Sequence, residues 1–508
     1  VQNAGANAYN VAIGYSTGLA VTTGANNVLM GGFAGDALTT GNQNVAIGRS
    51  ALSSEDAHGY NVAIGSYALL MQDAGADAHS VAVGYGTGSA ITTGTYNTLM
   101  GAYSGDALTT GGRNTAIGYL TLSAEDAHGR NIAIGHKALI VQDAGADAYN
   151  TAVGYQAGLN VTTGTKNVIV GGNAGDSLTS GVNNVAIGYD ALKTEDAHGF
   201  TVAVGTYALS NQDAGAEAYN VAVGYDASGS NTTGASNTTV GATAGRTTTG
   251  DHNTAIGRNA LGTSNTASDN TAVGSSALYS ITSGANNVAV GRNAGDSLTT
   301  GAYNVAVGKG ALSTEDTGGT NTAIGYTALT TLDAGADAYN VAVGFQAGYA
   351  MTTGLENTLI GATSGDSLNT GGYNVAVGSN ALSFATTSSF NVAVGRSALY
   401  TNILAARNTA IGHHALYTLN TGVATDTYNT AVGYKAGTAV TTGSSNTLIG
   451  GLAGDALTAG TSSVAVGTQA LSAEDDHSYN TAVGARALEA LNAGAHGYNV
   501  AVGYVAGT

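Results

Sequence analysis

Apolar and polar positions recur along this chain with a short, fixed period. A five-residue phrase, polar then apolar, small, β-branched and glycine, first reads Asn10-Val11-Ala12-Ile13-Gly14 and returns as far as Gly503. Written as [Asn/Ser/Thr]-x-x-[Ile/Val/Met]-Gly, it occurs 29 times, most copies 17 residues apart. A unit this short cannot bury its own apolar face, so successive units must stack and share one core. The β-branched phrase ending in Gly reads as a short strand, and the following Ala-Leu segment is a candidate second one. Thr-Thr-Gly, Asp-Ala-Gly and Ala-His-Gly stretches supply turns. A helical solenoid is the rival, but 17 residues cannot hold two helices and a turn, and frequent Gly is costly in helices. The pattern therefore predicts an all-β parallel solenoid of about 29 coils, which at ~4.8 Å per strand would be a rod of roughly 140 Å.

A second period appears when units are sorted by the residues after the glycine. Four kinds alternate, marked by Thr22-Thr23-Gly24, by Asp36-Ala37-Leu38, by Ala51-Leu52 with Glu55-Asp56-Ala57-His58, and by Ala68-Leu69 with Gln72-Asp73-Ala74-Gly75. Together they make a 70-residue block that places Gly14, Gly84, Gly154 and Gly224 in equivalent positions. Residues 225–433 depart from this order, as duplication with slippage would produce. The expectation is one continuous solenoid domain over 1–508, opening at Val1 and so a fragment or processed product of a longer chain.

The columns of the phrase suggest roles. The residue before each glycine is Ile, Val or Met in every copy, so the column beginning Ile13, Met30, Ile47, Ile64 and Val83 is expected in the core. The preceding column, Ala12, Leu29, Ala46 and Ala63, then points to the opposite face. A strand apolar on both faces is buried on both, so this column is expected at an interface with further copies of the chain. Asn10, Asn27, Asn44, Asn61, Asn97 and Asn114 head the phrase and are expected to form a hydrogen-bonded ladder along the stack. A glycan-binding row is the functional alternative there. Tyr9, Tyr60, Tyr149 and Tyr219 fall in the variable column just before, read either as a ligand-binding edge or as cover for the next coil.

Composition narrows the function. Charged residues are 9% of the chain, against roughly 25% in typical domains, and the net charge of −18 comes without a basic cluster. That opposes nucleic-acid binding. No apolar stretch approaches a membrane-spanning length, and residues 1–30 show no signal-peptide pattern. Cys, Pro and Trp are absent; the lack of Pro suits a backbone whose N–H groups are used in ladders. Acidic loops on adjacent coils bring Glu55 and Asp56 toward Asp73 and Asp77, an oxygen set that Ca²⁺ could relieve of repulsion, although the preferred reading is a pair of solvated loops with no cofactor. Zn²⁺ through His58, His128, His198 or His477, and ice binding by the Thr-Thr pairs, are weaker readings. No single preorganised catalytic site is implied, since each Asp, Glu and His recurs in equivalent places.

The phrase Asn-Val-Ala-Ile-Gly, stacked at short period in a Gly/Ala-rich acidic chain, resembles the head repeats of trimeric autotransporter adhesins. It is also similar to repeat regions of phage tail fibres. The adhesin resemblance implies a left-handed parallel β-roll, three chains side by side, and attachment to a host-surface protein or glycan. Here Val or Thr follows Asn where those repeats usually carry Ser, and the unit is longer, so the loops are larger. The resulting expectation is a non-enzymatic extracellular or cell-surface fibre, homotrimeric, adhesive or acting as a spacer. The alternatives are a self-assembling filament or matrix layer, and the shaft of a virion fibre.

Overall fold

A computed structural model describes residues 8–263, 265–492 and 497–507. The chain forms two compact units, 1–252 and 253–508. Both are parallel β-solenoids, and no helix occurs among the described residues. In the first unit the phrase copies become three-residue strands from Val11–Ile13 to Thr238–Val240; in the second they run from Thr254–Ile256 to Val500–Val502. Neighbouring strands pair parallel and in register, Val11 with Val28, Ala12 with Leu29, Ile13 with Met30. Each strand donates to the next coil and accepts from it, as in Val11 N to Asn27 O at 2.8 Å and Gly31 N to Ile13 O at 2.8 Å.

The glycine closing the phrase is required sterically. At Gly101 φ is +124°, and a Cβ there would sit 2.3 Å from the Gly118 carbonyl oxygen of the next coil. The Ala-Leu segment is not a second strand. It is a run of turns in which Leu52 and Leu69 adopt φ of 51° and 47°, a left-handed conformation unusual for a branched side chain but one that directs both leucines fully into the interior.

The strand faces are the reverse of the expectation. Leu29, Ala46 and Ala63 are buried inside the solenoid, and Ala12 occupies the same column on the exposed first strand. Ile13 and Met30 are exposed, while Ile47, Ile64 and Val83 are half-buried on the outside. The assigned core column is thus the outer face, and the assigned interface column is the core.

Interior volume explains this parity. Counting from the phrase glycine, the fourth and seventh residues also point inward. The fourth reads Gly18, Gly35, Leu52, Leu69 and Gly88 in successive coils; the seventh reads Val21, Leu38, Glu55, Gln72 and Ile91, and its last four members are fully buried. These columns leave room opposite them only for a small residue. Where the strand instead carries Leu29 or Leu99, the fourth position is Gly35 or Gly105, and a Cβ on either would lie 3.0–3.1 Å from the leucine. The four-unit alternation is therefore a packing code: one coil supplies a strand leucine, as Leu29, the next two supply turn leucines, as Leu52 and Leu69, and the remaining coil carries Ala82 with Gly88, a combination that close packing constrains. Within 225–433, one longer unit adds a short parallel pair, Ala405–Ala406 with Thr425–Asp426.

Candidate functional site

Three surfaces carry chemistry, and each results from the register. The first is the outer sheet face. Alternation that buries Asn and Ala turns the first and third strand residues outward, so Met100, Ile132, Val168, Val288, Val290 and Ile360 are exposed. In each unit this is a repeated strip of Val or Thr beside Ile, Val or Met. Monomeric proteins rarely leave contiguous apolar surface of more than a few hundred Å² uncovered.

The second surface comprises the polar and aromatic columns at the strand's start. Asn27, Asn44, Asn61, Asn97 and Asn114 are buried, with Asn10 half-exposed on the first strand. Their ladder runs through the backbone: Asn10 Oδ1 accepts from Asn27 N at 2.8 Å, Asn27 Oδ1 from Asn44 N at 2.9 Å, and Asn97 Oδ1 from Asn114 N at 3.0 Å. The amide nitrogens donate to turn carbonyls, such as Asn27 Nδ2 to Gly41 O at 2.9 Å. Being enclosed, these amides offer nothing to an external sugar. Ser80 keeps the ladder going more weakly, its hydroxyl 3.4 Å from Asn97 N.

Tyr9 is exposed, and the other tyrosines of its column lean on neighbouring coils. Tyr60 stacks on His79 at 4.9 Å, His79 on Tyr96 at 5.4 Å, and Phe200 on Tyr219 at 5.5 Å. The Arg130 guanidinium lies 5.2 Å from the Tyr149 ring centre. A second aromatic column, not anticipated from the sequence, comes one or two residues after the phrase glycine. Tyr67, Tyr85, Tyr103, Tyr119, His136 and Tyr155 form a continuous row with centroids 5.3–6.5 Å apart. Aligning the units on that glycine makes the row visible. Rings in both columns touch their neighbours, stacked or edge to face, while Tyr85, Tyr149, Tyr155 and Tyr219 stay exposed, an arrangement compatible with both covering the next coil and offering a ligand-binding edge.

The third surface is the acidic turn. Glu55, Asp56, His58 and Asp73 present ligand atoms within 4.8 Å of one another, with equivalent sets at Glu125 and Glu195. Asp77 stands apart, its Oδ1 accepting from Gly59 N at 2.9 Å. Glu55 is not a surface group: it occupies the interior column between Leu38 and Gln72 and is fully buried. Its Oε1 accepts from His58 N at 3.0 Å and lies 3.3 Å from His58 Nδ1. In the equivalent turn Glu474 Oε2 accepts from Asn480 Nδ2 at 3.3 Å, and Glu195 Oε2 from Gln212 Nε2 at 3.2 Å. Burial pushes the carboxyls of Glu55, Glu125 and Glu315 above their ordinary range, opposed in part by the amide hydrogen bonds they accept. The group can hold a divalent cation, but its buried member already serves as a clamp closing the turn. The sequence signal for this was column position, since Glu55 aligns with Leu38 and Ile91.

The added pair in the second unit bounds a shallow groove of about 370 Å³ lined by Thr387, Ser389, Phe390, Arg407, Thr425 and Asp426, among others. Arg407 Nε lies 2.9 Å from Asp426 Oδ2.

No protein-family model matches this chain, and no curated protein aligns with it significantly. No helix among the described residues is long and apolar enough to cross a membrane.

Proposed function

We propose that this chain is a non-enzymatic structural fibre that associates side by side with copies of itself, most simply as a trimer, to act as a spacer or adhesive element outside the cell or on a virion. The outward Val/Ile strip carries the reading. The first unit has fourteen phrase strands, each turning two side chains outward, which matches the roughly 20–30 residues a side of a stable protein interface. A second copy has the same strip at the same axial repeat, so the two match coil for coil. Regular, in-register ladders and a low charge density suit a load-bearing element better than a reactive one. The resemblance of the phrase to trimeric adhesin heads points the same way, with a host-surface protein or glycan as the outer partner.

Sedimentation velocity at micromolar concentration tests this. The expected species is a small oligomer of the 49.6 kDa chain, reduced to monomer by combining Val62→Lys, Ile64→Lys, Ile132→Lys and Ile134→Lys. A wild-type monomer overturns the reading. Electron microscopy distinguishes discrete particles from long uniform filaments, the latter favouring end-to-end assembly.

A further inference from the structure

We propose that the groove at Arg407 and Asp426 in the second unit is a binding site for a neutral sugar unit. Its position is the first argument. The coils repeat one surface many times over, and the longer unit that supplies Thr425–Asp426 interrupts it with a parallel pair of its own.

The lining is the second. Arg407 is held in place from three sides: its Nε bonds Asp426 Oδ2 at 2.9 Å, and its guanidinium carbon lies 4.7 Å from the Phe390 ring centre and 6.0 Å from that of Tyr428. Tyr428 OH also donates to Asp426 Oδ2 at 3.1 Å, which fixes the carboxylate. The remaining guanidinium N–H groups and the second carboxylate oxygen therefore form a rigid donor and acceptor side by side. Adjacent hydroxyls, each able to donate and accept, are their chemical complement. The hydroxyl residues Thr387, Ser389 and Thr425 line the same groove, with Leu404 and Ala424 providing apolar surface for the ring's C–H faces.

Charge and size complete the assignment. The ion pair leaves the groove neutral, so nothing there selects a carboxylate or phosphate ligand over an uncharged one. A volume of about 370 Å³ lies at the small end of ligand pockets, enough for one or two sugar rings. Phe390 is already stacked on Tyr373 at 4.9 Å and faces Arg407 on its other side, so recognition is by hydrogen bonding rather than by ring stacking. Open, hydroxyl-lined sites of this kind bind weakly, and repetition across a side-by-side oligomer would raise the avidity.

Saturation-transfer NMR on the full chain, with methyl glycosides of glucose, galactose, mannose and N-acetylglucosamine as probes, tests the site. At least one probe should show saturable transfer in the millimolar range, weakened tenfold or more by Arg407→Gln and by Asp426→Asn. Both side chains are nearly half exposed, so these changes should leave the fold intact; an unchanged circular dichroism melt verifies it. Binding of none of the four, binding indifferent to both substitutions, or preferential binding of inorganic phosphate each overturns the assignment. Sedimentation of the same variants should be unchanged, which separates this site from the self-association face.

Discussion

Leu99 and Met100 are chain neighbours on one strand, and the parity of the solenoid makes their truncation unequal. Leu99 is fully buried, whereas Met100 is 43% exposed. Leu99 reaches into the space above two glycines, where a Cβ at Gly88 would lie 2.8 Å from its Cδ1 and one at Gly105 3.1 Å from its Cδ2. Glycine has no side chain to move into the void, so Leu99→Ala should leave most of its cavity open. Buried Leu→Ala changes cost about 2–5 kcal/mol, rising with the cavity left behind, and the upper part of that range, about 3–4 kcal/mol, is expected. Met100→Ala removes a side chain that keeps much of its contact with water, so about 1 kcal/mol or less is expected in the isolated chain. Stacked repeats respond locally and need not unfold as one unit, so the suitable assay is native-state hydrogen exchange rather than a single melt. The reporters are the amides of Thr98, bonded to Asn114 O at 2.9 Å, and Thr115, bonded to Asn131 O at 2.8 Å. Leu99→Ala should lower their protection roughly 100- to 1000-fold, at about 1.4 kcal/mol per tenfold; Met100→Ala should change it less than about tenfold while weakening self-association. Equal losses of protection in both variants, at a dilution where the chain sediments as a monomer, would refute the parity argument.

The buried carboxyls give a pH signature, and the phrase glycine a steric one. Glu55, Glu125 and Glu315 have carboxyls raised from an ordinary 4.5 mainly by burial, so the folded chain holds these protons more tightly than the unfolded one. Their contribution favours the fold at low pH and is lost as pH rises from about 4.5 through the raised values. Calorimetry between pH 4 and 8 on chelator-treated protein should show this decline, and Glu55→Gln with Glu125→Gln should flatten it. Gly101→Ala introduces both a +124° φ and a 2.3 Å approach to the next coil's backbone, so a loss of at least about 3 kcal/mol is expected. Gly75→Ala, in open space with φ +65°, should cost only about 1 kcal/mol; comparable losses at the two positions would contradict the close approach between coils.

Much of the fold was legible because the repeat is dictated locally. A polar head, a β-branched pair and a terminal glycine recur at a spacing that only stacked coils accommodate, so the phrase strands, their parallel pairing and the Asn ladder could be read directly from the sequence, whereas the Ala-Leu segment, expected as a second strand, is a run of turns. The candidate surfaces were less legible. Glu55 reads as a loop carboxylate until it is aligned on Gly48, which puts it in the column of Leu38. Asp77 reads as a cluster member, yet it bonds Gly59 N instead. The row from Tyr67 to Tyr155 emerges only when the units are aligned on the phrase glycine, because its members lie at either one or two residues from it.

By itself, then, the sequence determined that this chain is a parallel β-solenoid and where its phrase strands lie, because period and strand propensity are properties of neighbouring residues. Only the tertiary structure decided which strand face is the inside. Alternation separates Ala46 from Ile47 but treats the two faces alike. The choice falls to the volume already filled by residues such as Leu52, Leu69 and Ile91 from the turns of the same and adjacent coils, which leaves room for the small residue and turns the large one outward.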